Sequence, residues 1–242
     1  MRAGGRPWVA VRHVAHEGPG GVATALGEAG MGVEEVRIDR GEPLPGPADL
    51  GDMGGLVVMG GPMGVGDDDA PGWMAAERDL LSAAVAGGLP VLGICLGAQQ
   101  LAASLGAAVT RGATPEIGPG EVVLTRDGRL DPVFGPEYTG LGSPTVPCVH
   151  WHGDTFALPE GATHLAATRA YPHQAFRVGH HAYGLQFHVE VDEVPARAWA
   201  PHLPDGVRLD GPHLTRIETV GRRLLARFVA VASAPVPLAA DR

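Results

Sequence analysis

The chain of 242 residues contains neither lysine nor asparagine, so all 18 of its basic side chains are arginine. The compositional bias of a GC-rich genome accounts for this, with adaptation to salt or heat as the lesser alternative. A basic surplus is missing too. With 27 acidic residues against those 18 the formal charge is -9. That argues against nucleic acid as a partner, because phosphate binding needs a basic surface to release counterions. Cysteine is scarce: Cys95 and Cys148 are the only two, which is no disulfide framework and fits a reducing compartment. No apolar run is long enough to cross a bilayer, and the segment from Met1 to Trp8 has no apolar stretch of signal-peptide length. A cytoplasmic protein without a membrane partner is therefore expected.

What is present suits a folded domain. Hydrophobic residues make up 45% of the chain, and the length accommodates one α/β domain with a full core. The domain is expected over residues 1–233, with the Pro- and Ala-rich tail 234–242 frayed. Strand-like and helix-like signals alternate, the pattern of a parallel sheet covered on both faces. Strands are expected at 8–14, 33–38, 56–59 and 89–94, and helices at 20–30, from Trp73 to Gly87, at 96–105 and at 214–231. The acidic run Asp67, Asp68, Asp69 favours the start of the second helix; as a metal site it lacks the loop spacing that would converge on one ion. Beyond Gly106 the signal turns to short strands at 121–125, 147–150, 163–168, 174–178 and 183–189, which read as antiparallel.

Two segments carry chemistry. Val91 to Ile94 is an apolar strand that stops at Cys95 and then becomes a helix. In such an elbow the apex residue sits in a strained turn, and small neighbours, here Gly93 and Gly97, let strand and helix approach. The thiol would then lie at a helix N-terminus, where unpaired N–H groups and the helix dipole favour the reactive thiolate. Leu96 follows the nucleophile and offers a backbone N–H to an oxyanion, as in other elbows. The second segment, Tyr183 to Glu190, reads as a strand carrying His188 and, two residues on, Glu190. Residues i and i+2 of an extended chain project to one side, so the carboxylate can orient the ring. Cys95, His188 and Glu190 make a nucleophile, base and acid in chain order.

Gly93-Ile-Cys95-Leu-Gly97-Ala-Gln99, with Gln186-Phe-His188-Val-Glu190 and Met59-Gly-Gly61-Pro62, resembles the class I glutamine amidotransferases. The likeness is closest to stand-alone proteins similar to the glutaminase domain of GMP synthase, and it covers roughly residues 50 to 190. One departure is Val189, where the family usually has proline; the spacing is kept and valine suits a strand. The resemblance implies a three-layer, flavodoxin-like α/β fold, a parallel sheet with helices on both faces and a small antiparallel extension. It implies a glutaminase that forms a γ-glutamyl thioester on Cys95, with Gly61 as second oxyanion donor. It also implies that Gln99, Gln174 and Phe176 hold the amino and carboxylate ends of the substrate. No cofactor and no metal are expected. The substrate would be glutamine or a γ-glutamyl compound.

Three functions remain open at this point. A glutaminase would hand its ammonia to a separate synthetase subunit, since no nucleotide-binding loop follows the motifs and the roughly 50 residues after Glu190 are too few for one. A γ-glutamyl peptidase or hydrolase would keep the chemistry and need no partner. A catalytically silent regulator would keep only the fold. An α/β hydrolase using cysteine is disfavoured, because that fold places its acid before the histidine. His150, His152 and Asp154 suggest a metal or catalytic cluster, but no further carboxylate or cysteine ligand has suitable spacing, and the segment reads as a loop near the site. His13, His16, His164, His180, His181, His202 and His213 are expected at the surface, and Cys148 in packing.

Overall fold

The computed structural model describes residues 5–67, 70–136 and 143–234. Its strands are β1 (Trp8–Arg12), β2 (Val33–Arg37), β3 (Gly55–Val58), β4 (Val91–Ile94), β5 (Val109–Leu124), β6 (Thr145–Phe156), β7 (Thr163–Ala167), β8 (Ala175–Val178) and β9 (Ala182–Leu185). The helices are α1 (Gly20–Glu28), α2 (Trp73–Ala86), α3 (Leu96–Ser104), α4 (Glu193–Trp199) and α5 (Gly211–Ser233). Among the described residues the nine strands join one sheet in the order β2-β1-β3-β4-β9-β8-β7-β5-β6. From β2 to β9 neighbours run parallel; from β9 to β6 they run antiparallel. This is the flavodoxin-like sheet with its antiparallel extension.

Period-two alternation divides the strands between two cores. Trp8, Ala10, Val57, Leu92 and Ile94 face one side, where Val22 and Leu26 of α1 and Val220, Leu224 and Phe228 of α5 cover them. Val9, Val11, Leu56, Val58 and Val91 face the other, under Leu80, Leu81 and Ala84 of α2 and Ala98 and Leu101 of α3. Burying each Val, Leu, Ile or Phe contributes about 1.5–3 kcal/mol. Both faces are therefore needed to hold strands of four or five residues. α5 shows why its sequence is helical: Leu214, Ile217, Val220, Leu224, Leu225 and Phe228 are buried at three- and four-residue spacing.

Several expectations need correction. β5 extends back to Val109 and β6 runs from Thr145 to Phe156. The proline and glycine residues between 113 and 120 hid a strand whose register shifts between Arg111 and Glu116; such a bulge accommodates them. His150, His152 and Asp154 thus lie in a strand and not in a loop. β9 ends at Leu185, and His188 continues only as an isolated bridge to Val149. α4 has no counterpart in the sequence reading; Asp192 caps it, accepting from the Val194 N–H at 2.8 Å. α2 starts without an acidic cap: Gly72 precedes it, and Asp67 instead accepts from the Gly64 N–H at 3.0 Å. Asp68 and Asp69, and the tail from 235 onward, lie outside the described residues. Among the described residues no helix is long and apolar enough to cross a membrane.

Candidate active site

β4 delivers Cys95 to the carboxyl edge of the parallel sheet, where α3 begins at the next residue. Cys95 has φ 53° and ψ -109°, and it is the one non-glycine residue with positive φ among the described residues. An L-residue held there is strained by roughly 1–3 kcal/mol. The surroundings enforce it. The Cys95 N–H donates to the Leu185 carbonyl at 2.7 Å, and its own carbonyl accepts from Ala98 and Gln99 at 3.0 and 3.1 Å. One residue on, the Gly97 N–H donates to the Met59 carbonyl at 3.1 Å. A Cβ on Gly97 would overlap the Val58 carbonyl, so only glycine lets α3 approach β3 this closely.

The sulfur lies among polar groups. Sγ is 3.7 Å from the Trp151 carbonyl oxygen, to which the thiol donates, and 3.8 Å from the Gln186 amide nitrogen. Leu96 opens α3, so its N–H has no acceptor within the helix. Gly61 is its neighbour: a Cβ there would stand 3.1 Å from Leu96 Cδ2. Gly61 and Leu96 are therefore neighbours beside the elbow.

His188 and Glu190 are brought together, with Nδ1 2.7 Å from Glu190 Oε1. The other carboxylate oxygen accepts from the Val189 N–H at 2.9 Å. Both side chains are 1% exposed. Since Nδ1 donates to Glu190, Nε2 is the atom left to exchange a proton with the thiol, and it is buried with no hydrogen-bond partner. Burial alone would lower the His188 pKa; the Glu190 carboxylate and the Cys95 side chain outweigh it and hold the ring well above its usual value. Trp199 of α4 packs edge-on against the imidazole, with ring centroids 4.8 Å apart.

The other predicted residues divide. Gln99 donates to Gln186 Oε1 at 3.1 Å, one step from the sulfur. The Gln174 amide nitrogen is turned to Glu116 Oε2 at 2.6 Å. The Phe176 ring is fully buried against Phe156 in the core beneath α2 and α3.

Sequence reasoning missed four residues. His13 is not at the surface: it is 2% exposed, with Nε2 2.9 Å from Glu77 Oε2 and Nδ1 2.9 Å from the Gly60 carbonyl. Burial lowers its pKa, but Glu77 prevails and the net shift is upward. Glu17 is buried against Gly60 near the His188 ring; burial pushes its carboxyl up, opposed by the charge of His188. Glu116 stands opposite His152 in the β5–β6 pairing and supplies the carboxylate that sequence spacing had not offered. Around it burial lowers the pKa of His150, and that of His152 to about 4. His181, expected exposed, is also buried. Only long-range pairing assembles these groups, and no local motif announces them.

Comparison with known proteins agrees with the geometry. The family model "Glutamine amidotransferase class-I" matches residues 21–199. The glutamine amidotransferase-like protein YfeJ of Salmonella typhimurium is 36% identical over 183 residues, 74% of each chain. The GMP synthase [glutamine-hydrolyzing] of Nitrosomonas eutropha is 36% identical over 139 residues, 57% of this chain but 25% of that protein. The chain thus spans about a quarter of the GMP synthases it matches. Among solved structures, a glutamine amido transferase from Methylobacillus flagellatus superposes with a TM-score of 0.80 at 27% identity, covering 93% of this chain and 95% of the other. A glutamine amidotransferase from Thermotoga maritima gives 0.77 at 29% identity, covering 95% and 100%. With that match across most of its length and the elbow at Cys95, the chain belongs to the class I glutamine amidotransferase family.

Proposed function

We propose that this chain hydrolyses the side-chain amide of glutamine through a γ-glutamyl thioester on Cys95 and that the ammonia passes to a separate acceptor enzyme. One observation carries the reading: a strained cysteine at a helix N-terminus faces a buried histidine whose other nitrogen is held by Glu190. His188 Nε2 takes the thiol proton and Sγ attacks the δ-carbonyl carbon. The tetrahedral oxyanion is received by the N–H groups of Gly61 and Leu96; one such donor typically contributes about 3 kcal/mol to the transition state. The imidazolium, stabilised by Glu190, returns its proton to the amine, the C–N bond breaks and ammonia leaves. Water then gives its proton to His188 and attacks the thioester, which releases glutamate and the thiol.

Gln99 is placed in this scheme as a residue that orients the substrate through Gln186. Gln174 would bind substrate only after leaving Glu116, and Phe176 would contribute its packing alone. The GMP synthases support a synthetase as acceptor, since the matching region is about a quarter of their length.

The test is glutamate release from L-glutamine by the purified chain, with a glutamine-like chloroketone as trap. A single adduct on Cys95, absent in Cys95→Ser, and glutamate release that the variant lacks are expected. Release from γ-glutamyl peptides faster than from glutamine would replace this reading with the peptidase. No adduct and no release from either would leave the silent regulator.

A further inference from the structure

His150 and His152 are two apart on β6, so both rings leave the same face of the strand. Glu116 pairs with His152 across the β5–β6 ladder. Its Oε2 is 3.3 Å from His152 Nε2 and 3.6 Å from His150 Nδ1, and one ligand atom from each residue lies within 4.8 Å of the others.

Hydrogen accounting decides what these atoms are. His152 Nδ1 is 3.0 Å from the Asp154 carbonyl oxygen, which only accepts, so the neutral ring keeps its hydrogen there and presents a bare lone pair at Nε2. His150 Nε2 lies 3.4 Å from Cys148 Sγ, while its Nδ1 is buried without a partner. With its hydrogen on Nε2, donated to that sulfur, Nδ1 presents a bare lone pair as well. Two imidazole lone pairs and a carboxylate oxygen converge with one donor among them, the Gln174 amide, 2.6 Å from Glu116 Oε2 and 3.5 Å from His152 Nε2. Gln174 Oε1 is itself buried and unpartnered. Buried acceptors facing one another are costly unless a positive charge joins them.

We propose that Glu116, His150 and His152 form a binding site for a divalent cation of the zinc type, with Gln174 beside its fourth position. Ligands about 2.0–2.1 Å from a tetrahedral zinc stand roughly 3.3–3.5 Å apart, close to the 3.3 and 3.6 Å between Glu116 and the two rings. The ligand set, two imidazoles and a carboxylate, suits zinc; the other nitrogen of His152 is held by the Asp154 carbonyl, the usual support of a metal-bound histidine, and that of His150 lies against Cys148 Sγ. A half-turn of the Gln174 amide, which exchanges O and N, presents Oε1 to the same space. The cation would pin β5 to β6 at Trp151, whose carbonyl receives the Cys95 thiol. It would thereby set the position of that strand without entering the reaction.

The test is a titration of the chelator-treated full chain with Co²⁺, followed by displacement with Zn²⁺. One equivalent is expected, with the visible absorption of a four-coordinate nitrogen and oxygen site and no thiolate charge-transfer band. Glu116 is part-exposed, so Glu116→Gln keeps the fold; affinity should fall by more than the roughly 10–100-fold seen on losing an outer partner of a ligand. Cys95→Ser should bind as the parent does. Three results overturn the proposal: no binding by the parent chain, binding unchanged by Glu116→Gln, or a thiolate band that disappears in Cys95→Ser. The readout is metal and not glutamate, so its failure leaves the glutaminase reading standing.

Discussion

Replacing Cys95 by glycine and, separately, by alanine isolates the strain at the elbow. Both changes remove the sulfur and its contacts with Trp151 and Gln186; they differ only in the Cβ. At an ordinary position glycine is less stable than alanine by about 0.5–1 kcal/mol, because the unfolded chain gains freedom. At φ 53° and ψ -109° alanine carries the strain of an L-residue, roughly 1–3 kcal/mol, and glycine does not. The balance favours glycine by about 1 kcal/mol, within bounds of about 0 and 2.5 kcal/mol. For a chain of this size that is about 2–4 °C in melting temperature. The assay is urea denaturation of both variants at one pH, read by circular dichroism and by tryptophan fluorescence, with coincident transitions required. The sign is the decisive quantity. Glycine less stable than alanine by the ordinary 0.5–1 kcal/mol would refute a strained elbow, and with it the reason for a nucleophile at this turn.

Glu190→Gln removes the charge that holds the His188 pKa up against burial; the imidazole titration, followed by NMR, should move to lower pH, and an unchanged titration would exclude Glu190 as the cause. If the proposed chemistry holds, glutamate release by the same variant falls on the order of 10²–10⁴-fold, the range of general acid–base assistance. The His13–Glu77 pair makes stability depend on pH. Because the folded pKa of His13 is raised, its contribution is fully present below the unfolded value of about 6.5 and is lost as pH rises through the folded pKa. Urea midpoints compared on either side of that window should show the loss, and Glu77→Gln should abolish it while costing about 3–5 kcal/mol, as breaking a buried pair does. Gly97→Ala forces a Cβ into the Val58 carbonyl; a loss of about 1–3 kcal/mol is expected from overpacking, and a neutral result would mean that α3 shifts freely on the sheet.

Legibility followed how local each signal was. α3 and β4 were readable because Val91 to Gln99 encodes strand, turn and helix within a few residues, and the close approach of Gly97 to β3 is the physical counterpart of that small residue. His188 and Glu190 were readable as neighbours because two residues of extended chain put their side chains together, and they stand 2.7 Å apart although β9 stops short of them. β5 was read as less than a third of its length, since proline and glycine look like loop until a partner strand absorbs a bulge. α4 was missed because seven residues with a proline among them carry too little periodicity. Phe176, placed at the substrate by resemblance, is packed in the core. Alternation along β8 decides the side to which a residue points, and a motif match does not.

The sequence by itself determined the first four parallel strands, the position of the elbow and the pairing of histidine with glutamate; β9, read as antiparallel, pairs parallel with β4. Each legible feature is specified by spacing within one short segment, where backbone geometry leaves few choices. The tertiary structure alone decided that His13 meets Glu77, that Glu17 lies under Gly60 and that Glu116 joins His150 and His152. Those meetings depend on which strands pair and in what register. That register is set by burying both faces of the sheet at once, a collective balance to which no single segment holds the key.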